Sequence, residues 1–147
     1  MSFPYKKVLV CIDFSPTSRR ALREASRLAG SEAKVELIHV TQKLEPSVPW
    51  SSVNRKVVTK LGRDAVTDAR AALDELAEGL RNTRVRTQVR IGVPHEAILA
   101  EAKRRKADVI VVGSRGHTLS ERLAMGSTTE RLVRKASIPV LVVPAGR

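Results

Sequence analysis

The chain contains little cysteine and few aromatic residues. Its 147 residues include one cysteine, two Phe, one Tyr and one Trp. A single cysteine, Cys11, cannot form an internal disulfide framework, which agrees with a reducing compartment. So few aromatic rings leave no interleaved set of side chains on which single-stranded nucleic acid could stack. The composition therefore argues against a disulfide-rich secreted domain and against a base-stacking module.

Long apolar runs are also missing. The longest uncharged stretch, residues 136–146, is about half the ~20 residues that a membrane-spanning helix needs. The first residues run straight into a strand-like segment, without the basic, apolar and cleavage-site regions of a signal peptide. We therefore expect a cytoplasmic protein without a membrane span. The length and the 42% apolar residues fit one domain, residues 1–147, with a single core.

Positive charge, by contrast, is in excess, with 27 Lys and Arg against 15 Asp and Glu and a formal net charge of +12. Two segments concentrate this charge, and either could follow phosphates. They hold Arg19, Arg20, Arg23 and Arg27 at helical spacings, and the run Lys103, Arg104, Arg105 and Lys106. No helix-turn-helix or zinc-finger spacing accompanies them. We interpret both segments as solvated helix faces and keep nucleic acid as the alternative partner.

Five short apolar runs alternate with helical patterns along the chain. The runs cover residues 7–13, 34–41, 84–91, 109–112 and 140–143. The first is nearly all apolar, as in a strand buried on both faces of a parallel sheet, whereas the third alternates like an edge strand. The resulting order, βαβαβαβαβ, predicts an α/β fold with an open, doubly wound parallel sheet and helices on both faces.

The helices between these runs have recognisable ends. Ser15 followed by Pro16 predicts the start of the first helix, and Gly30 predicts its end. The others are predicted over residues 53–80, 94–106 and 127–136. Residues 42–52 include two prolines and have no periodicity, so they predict a loop.

The segment with the most chemical information is GSRGHTLSERLAMGSTTE, residues 113–130. Gly113 ends a buried strand, Gly116 follows it, and Gly126 with Ser127 immediately precedes a helix. Glycines let the backbone turn sharply and leave successive N–H groups uncovered, and a helix start adds partial positive charge. Both features favour phosphate binding at the carboxyl end of a central strand, where open α/β sheets bind ligands.

Helix capping is the alternative interpretation of the same segment. Thr118 with Glu121, and Ser127 with Glu130, both have capping-box spacing, so two helix starts could form without a ligand. Capping does not explain why three glycines bracket this short segment. We therefore favour phosphate binding, with which capping is compatible.

The glycine pattern resembles that of the universal stress protein family, and specifically its nucleotide-binding branch. The pattern is Gly113-x-x-Gly116, nine residues, then Gly126-Ser127, between a VIVVG strand and a PVLVV strand. The resemblance extends over the whole chain and includes VLVCID, the HV that ends the second run, and Gly92-x-Pro94. It implies the sheet order 3-2-1-4-5 and an ATP-binding stress-response regulator, with AMP or a cyclic nucleotide as possible ligands. Mg²⁺ would be bound through the nucleotide phosphates.

The resemblance also implies which residues bind the nucleotide. Asp13, after the first strand, would contact the ribose or the metal–phosphate region, and Val40, at the end of the second, would contact adenine. The phosphates would be held by Gly113, Gly116, Gly126, Ser127 and Thr128.

Catalysis has weaker support in the sequence. A P-loop lysine is missing, and no carboxylate–histidine pair is evidently placed to activate water. We predict a nucleotide-dependent sensor or switch rather than an ATP-hydrolysing or phosphate-transferring enzyme. His39 is expected to be a hydrogen-bonded core residue and Cys11 a packing residue, while the role of His117 stays open.

The last strand predicts how the protein associates. In the order 3-2-1-4-5, residues 140–143 form an edge that carries no Lys or Glu to discourage pairing. We therefore expect a homodimer in which two copies of Val140–Val143 pair antiparallel, which closes the assembly at two subunits. The protein partner that a sensor would address is not identifiable from the sequence.

Overall fold

The computed structural model describes residues 4–80, 84–116 and 125–146. The described residues form five strands and four α-helices in alternation. The strands are β1 (Tyr5–Cys11), β2 (Ala29–Thr41), β3 (Arg84–Ile91), β4 (Val109–Gly113) and β5 (Val140–Val143). The helices are α1 (Pro16–Leu28), α2 (Arg55–Glu78), α3 (Pro94–Arg105) and α4 (Ser127–Lys135). A short 3₁₀-helix, Trp50–Ser52, lies in the segment predicted as a loop.

All five strands belong to one parallel sheet with the order β3-β2-β1-β4-β5. This confirms the predicted α/β fold and the order 3-2-1-4-5. β3 lies at an edge, as its alternating pattern predicts, and β1 lies in the middle. Val8 of β1 pairs with Val35 of β2 on one side and with Val109 of β4 on the other. The carboxyl ends of β1 and β4 are therefore neighbours at the point where the chain reverses direction.

Two apolar layers cover the sheet. Val8 and Val10 pack with side chains of α1 and α2, such as Leu22 and Leu73. Side chains that alternate with them along the strands point to the other face and pack with α3 and α4. This second layer includes Leu9, Cys11, Ile38, Ile98, Ile110 and Leu132.

β1 is shorter at its carboxyl end than predicted. It ends at Cys11 rather than at residue 13. Asp13 lies in a turn, where its Oδ1 accepts a hydrogen bond from the Ser15 N–H at 2.9 Å. Phe14 has a left-handed φ of 63°, which takes the chain out of the strand conformation. The turn thus releases Asp13 from the sheet.

α1 starts as predicted and ends differently. Ser15 is its N-cap, accepting a hydrogen bond from the Ser18 N–H at 3.1 Å, and Pro16 lies in the first turn. Gly30 follows the C-cap Ala29 and so lies at the predicted C′ position, but it has no left-handed φ. The helix instead passes into β2 through extended backbone at Ala29. β2 consequently begins five residues earlier than the predicted residue 34.

The remaining helices lie close to their predicted positions. α2 begins and ends two residues inside the predicted range, and its first half is mostly exposed. α3 ends with Lys106 in a left-handed conformation, φ 55°. None of the helices in the described part of the chain is both long enough and apolar enough to cross a membrane.

Candidate functional site

A cleft of about 370 Å³ lies at the carboxyl ends of β1, β2 and β4. The structure brings to it every residue that the resemblance implied for ligand binding. These are Asp13, Val40, Gly113, Gly116, Gly126, Ser127 and Thr128. They come from four separate segments of the chain, and only the strand order 3-2-1-4-5 makes them neighbours.

One wall of the cleft is apolar. The side chains of Ile38, Val40, Ile98 and Val112 line it, supplied by β2, α3 and β4. Ile38, Ile98 and Val112 are buried in the second apolar layer, and Val40 packs against their edge. Such a wall is suited to a flat ring with little charge.

Asp13 is the one carboxylate among the described residues that line the cleft. The neighbouring Phe14 is left-handed, which costs a bulky residue about 1–2 kcal/mol. Its ring lies against the His39 imidazole with centroids 4.7 Å apart, a contact that supports this conformation. This locally strained turn therefore fixes the position of the Asp13 carboxylate just beyond the end of β1.

Glycine is required at positions 113 and 116 because other groups of the protein lie very close to the backbone there. A Cβ on Gly113 would lie 2.7 Å from Thr17 Cγ2 of α1, and a Cβ on Gly116 would overlap the Asp13 carboxylate. The chain bends at Ser114, between the two glycines, but neither glycine has a positive φ, so the bend does not use left-handed glycine backbone. Gly116 instead lets the segment after β4 lie directly against Asp13, which joins the ends of β1 and β4 in one site.

The start of α4 borders the cleft and has no side-chain cap among the described residues. Gly126 is the N-cap, with φ −70° and ψ 157°, and Ser127 is already helical. The capping box predicted for Ser127 and Glu130 is therefore wrong, because Ser127 lies one position too late and Glu130 pairs with Arg134 at 2.8 Å. Thr118 and Glu121, the other predicted capping box, lie outside the described residues.

The backbone at this helix start offers hydrogen-bond donors to the cleft. The first helical hydrogen bond runs from the Glu130 N–H to the Gly126 carbonyl at 2.9 Å. The N–H groups of residues 127–129 precede it, and all three residues line the cleft. Together with the partial positive charge of the helix end, they form a place suited to an anion.

Thr129 holds this helix start in place and was missed in the sequence. Its buried Oγ1 donates a hydrogen bond to the Gly113 carbonyl at 2.7 Å. A second link runs from the Gly126 N–H to the Ser114 carbonyl, also at 2.7 Å. The available signal was spacing, because Thr129 precedes Leu132 by three residues and so shares its buried face of α4.

Arg115 is the one Lys or Arg among the described lining residues, and the sequence analysis also missed it. Arg115 lies between Gly113 and Gly116, and the glycine pattern does not itself require a basic residue at that position. The described lining residues of the cleft thus include one Lys or Arg side chain, that of Arg115, and one carboxylate, that of Asp13. The remaining polar character of the cleft comes largely from backbone groups and hydroxyls.

His39 and Cys11 have the expected structural roles. His39 Nδ1 donates a hydrogen bond to the Ile12 carbonyl at 2.7 Å, and its ring is half-buried. Burial, with a smaller contribution from Asp13, raises the pKa of the Cys11 thiol to about 12. Cys11 is therefore a neutral packing residue at physiological pH. His117 lies outside the described residues.

Comparison with known sequences identifies related proteins over nearly the whole chain. The sequence profile of the universal stress protein family matches residues 4–144. Universal stress protein MJ0577 of Methanocaldococcus jannaschii is 29% identical over 157 residues, with 97% of each chain covered. Universal stress protein MJ0531 of the same organism is 32% identical over 141 residues, which cover 95% of this chain and 82% of that protein.

Solved structures agree with these sequence matches. The structure of MJ0577 superposes with a TM-score of 0.86 at 29% identity, covering 97% of this chain and 98% of that one. A universal stress protein in complex with cAMP superposes with a TM-score of 0.67 at 25% identity, covering 95% and 97%. The strand order, the glycine pattern and a profile match over residues 4–144 lead to the same assignment, and the chain belongs to the universal stress protein family.

Proposed function

We propose that this protein binds an adenine nucleotide in the cleft at the carboxyl ends of β1, β2 and β4, and that it acts as a nucleotide-dependent regulator in the stress response. The start of α4, which has no side-chain cap among the described residues, carries the proposal. Thr129 and Gly126 hold it beside the end of β4, facing the same cleft as the apolar wall. A nucleotide has both an apolar ring and an anionic tail, and few other ligands need both surfaces together.

Each part of the cleft suits one part of a nucleotide. Val40 and the apolar wall are assigned to adenine, and Asp13 to the ribose hydroxyl groups. The phosphates are assigned to the backbone between Gly113 and Gly116 and to the helix start at Gly126, Ser127 and Thr128. Charge-assisted N–H contacts of this kind are worth about 1.5–3 kcal/mol each. Because Asp13 is the one carboxylate among the described lining residues, Mg²⁺ would be held mainly through the phosphates.

Related proteins support an adenine nucleotide, and the site favours ATP. A universal stress protein of 25% identity was solved in complex with cAMP, whose ring is adenine. In this chain, the N–H groups of residues 127–129 and the backbone around Gly116 supply more donors than a single phosphate uses. We therefore propose ATP as the preferred ligand, ahead of AMP and cyclic AMP.

A regulator is proposed rather than an enzyme. Asp13 Oδ1 is engaged by the Ser15 N–H, and His39 Nδ1 is engaged by the Ile12 carbonyl. These two contacts hold the turn after β1 in position. With no P-loop lysine in the sequence, phosphate release is expected to be far slower than the ~1–10³ s⁻¹ of typical enzymes.

The test is calorimetric titration with ATP, AMP and cyclic AMP in the presence of Mg²⁺. Gly126→Asp should fold normally, because its φ and ψ suit any residue and aspartate is a good N-cap. Its carboxylate would stand where the phosphates are assigned, so affinity for ATP should fall about 100-fold or more. Gly126→Ser is the matched control, since it caps α4 without adding charge and should cost less affinity.

Two outcomes decide the matter. A parent protein that binds none of the three nucleotides rejects the proposed function. A parent that binds ATP, together with a Gly126→Asp variant of equal affinity, leaves nucleotide binding standing and removes it from this cleft.

We also propose a homodimer through β5. The carbonyls of Pro139 and Val143 accept hydrogen bonds from β4, at 3.0 and 2.8 Å. Because backbone groups alternate in direction along a strand, those of Val140 and Val142 face the open edge. Val142→Pro removes a donor on that edge without touching the β4 ladder. Light scattering should show a dimeric parent and a monomeric variant, and a monomeric parent at micromolar concentration would reject the interface.

A further inference from the structure

A second hollow, of about 620 Å³, lies at the opposite end of the sheet from the cleft. It is formed by the amino-terminal parts of β1, β2 and β3 and the end of α3. Its charged lining residues, which we call the basic groove, are Lys7, Lys34, Glu36, Arg84, Arg86, Arg104, Arg105 and Lys106. Seven of these eight side chains are basic, and none of the described residues that line the hollow is aromatic.

Three of the cations form a row across the sheet. Lys7 of β1 is in register with Lys34 of β2, which is in register with Arg84 of β3. Residues in register on parallel strands project from the same face, and adjacent strands are about 4.8 Å apart. Like charges directly opposite one another destabilise a sheet. The stability of the fold therefore does not account for this row.

The end of α3 faces the row with further cations, which acidic side chains hold in position. Buried Glu101 accepts hydrogen bonds from Arg104 at 2.6 Å, Arg105 at 3.1 Å and Arg90 at 3.3 Å. Arg105 also lies 3.3 Å from Glu36. The acids are thus committed to arginines of α3 and of the carboxyl end of β3.

The other cations of the groove have no such partners. The structure gives no ion pair with any described residue for Lys7, Lys34, Arg84, Arg86 or Lys106. Basic residues in the last turn of α3 also complement its dipole, but this reason does not extend to the strands. A ligand of opposite charge explains the whole arrangement, the row included.

We propose that the basic groove binds the phosphate backbone of a nucleic acid without reading its bases. Planar arginine forks match phosphate oxygens, and Arg84 and Arg86 contribute two that form no ion pair with a described residue. The hollow is concave, which suits a backbone ridge better than a flat lipid surface. Without aromatic lining side chains there is no platform for unstacked bases, so duplexes should bind at least as well as single strands.

A protein partner fits the groove less well. Interfaces between proteins are depleted of charge at their centres and enriched in aromatic side chains. Here the apolar lining residues are buried beneath the charges, with Val8, Leu9 and Val35 at most 2% exposed. What a partner would touch is almost entirely Lys and Arg.

The groove changes the interpretation of one of the two basic segments found in the sequence. The arginines of α1 remain a helix face, in which Arg27 pairs with Glu24 at 3.0 Å. The run from Lys103 to Lys106, by contrast, ends against the row of strand cations. The strand residues Lys7, Lys34 and Arg84 are far apart in sequence, so only the register unites them.

The test measures binding of a mixed-sequence DNA duplex of about 20 base pairs by fluorescence anisotropy at several salt concentrations. The logarithm of the affinity should fall linearly with the logarithm of the salt concentration, with a slope of about −0.9 for each phosphate that the protein contacts. Lys34→Glu combined with Arg84→Glu should reduce affinity about tenfold or more and make the slope shallower by about 2. Sequence and strandedness of the probe should matter little.

The matched control is Lys60→Glu combined with Arg63→Glu, on the exposed first half of α2. Both double variants change net charge equally, so only the position of the charge differs. Duplex affinity should be nearly unchanged in the control, and ATP binding should be unchanged in both. If the reversed pair does not fold, Lys34→Gln with Arg84→Gln removes the charge more gently.

Several results would overturn the proposal. One is a parent that does not bind the duplex, and another is equal loss in groove and control variants, which would indicate net charge alone. Tighter groove-dependent binding to phosphatidylserine vesicles or to inorganic polyphosphate would assign the groove to that ligand instead. A strong preference for single strands would contradict recognition without base stacking.

Discussion

The two ends of the parallel sheet differ in how they present hydrogen-bond donors and positive charge. At the carboxyl ends, the described lining residues include one carboxylate and one Lys or Arg, and the remaining donors are largely backbone groups and hydroxyls. At the amino ends, seven Lys and Arg side chains surround one Glu. Backbone groups are fixed by the fold, whereas long side chains adjust to their ligand. The donors of the cleft therefore have a fixed geometry, whereas the cations of the groove concentrate charge in an adjustable one.

The free-energy cost of each end differs in the same way. In the cleft the cost is steric, visible as the left-handed Phe14 and the tight approach of Thr17 to Gly113. In the groove it is electrostatic, because like charges are in register and buried Glu101 must bind several guanidinium groups. Stability measurements on matched variants separate these two kinds of cost.

The largest effect is expected at Glu101, which is 3% exposed and binds three arginines. Glu101→Gln leaves those cations without their shared anion and should lower the free energy of unfolding by about 2–3 kcal/mol, since the arginines are partly exposed. Urea denaturation measures this. Glu24→Gln, which breaks the exposed pair with Arg27, is the control and should change stability by less than about 1 kcal/mol. Equal effects would mean that the buried network is no stronger than a surface pair.

The same network should determine part of how the stability depends on pH. Burial raises the pKa of Glu101, but hydrogen bonds from Arg104, Glu36 and Arg105 outweigh it and hold the pKa at about 2. Its stabilisation is present above the ordinary Glu value and is lost as the pH falls toward 2. Burial and the hydrogen bond with Glu101 raise the pKa of Glu36, so its contribution is lost as the pH rises.

Glu36→Gln distinguishes the two carboxyls. Because a glutamine amide can donate a hydrogen bond to Glu101 and does not titrate, the variant should keep the acid limb and lose the decline in stability that Glu36 contributes as the pH rises. Denaturation between pH 3 and 8 would show this. A decline with rising pH that is as steep in the variant as in the parent would mean that Glu36 is not its source.

At the other end of the sheet, Gly113→Ala should lower stability by about 1–3 kcal/mol through overpacking against Thr17. Adding Thr17→Ser removes the methyl group that the new Cβ meets and should restore part of the loss. Gly62→Ala on α2 is the control, because its Cβ meets open space, and it should raise stability by about 0.5–1 kcal/mol. Thermal melts compare five proteins, namely the parent, the three variants and the single Thr17→Ser variant, and additive effects in the double variant would exclude the contact.

The smallest effect is expected in the row of cations. Lys34→Gln removes the central charge between Lys7 and Arg84 and should raise stability by about 0.2–0.5 kcal/mol at low salt. The gain should shrink as salt screens the repulsion. A loss of stability at low salt would mean that the row is not repulsive, which would weaken the contrast between the two ends.

The sequence predicted the elements well because each carries a local signal. Apolar runs place all five strands, and Ser15 with Pro16 places the start of α1. The errors lie at boundaries where a contact overrides the local pattern. β1 ends early because Asp13 turns to bind the Ser15 N–H, and α4 starts with Gly126 as its cap rather than Ser127.

The two sites differ in how far the sequence predicts them. The cleft residues cluster around one glycine pattern, and the resemblance to a family implied Asp13 and Val40 as well. The groove has no such pattern, because Lys7, Lys34 and Arg84 meet only through strand register. Glu36 is marked in the sequence only as a single acidic residue between Val35 and Leu37 in an otherwise apolar run. Its contact with the end of α3 follows from the fold alone.

Because β1 lies in the middle of the sheet, the strands of the basic groove and the cleft are also expected to form at different times. Val8 pairs with Val35, a near neighbour in sequence, and with Val109, which is synthesised much later. Closing the second pairing joins segments much further apart along the chain and is the slower kind of contact to form. The strands of the basic groove can therefore assemble as soon as β3 has left the ribosome, whereas the cleft must wait for β4 and α4. Pulse-labelled hydrogen exchange should find β2 and β3 protected before β4 and β5, as expected if the strands of the basic groove pair first and the cleft is completed last.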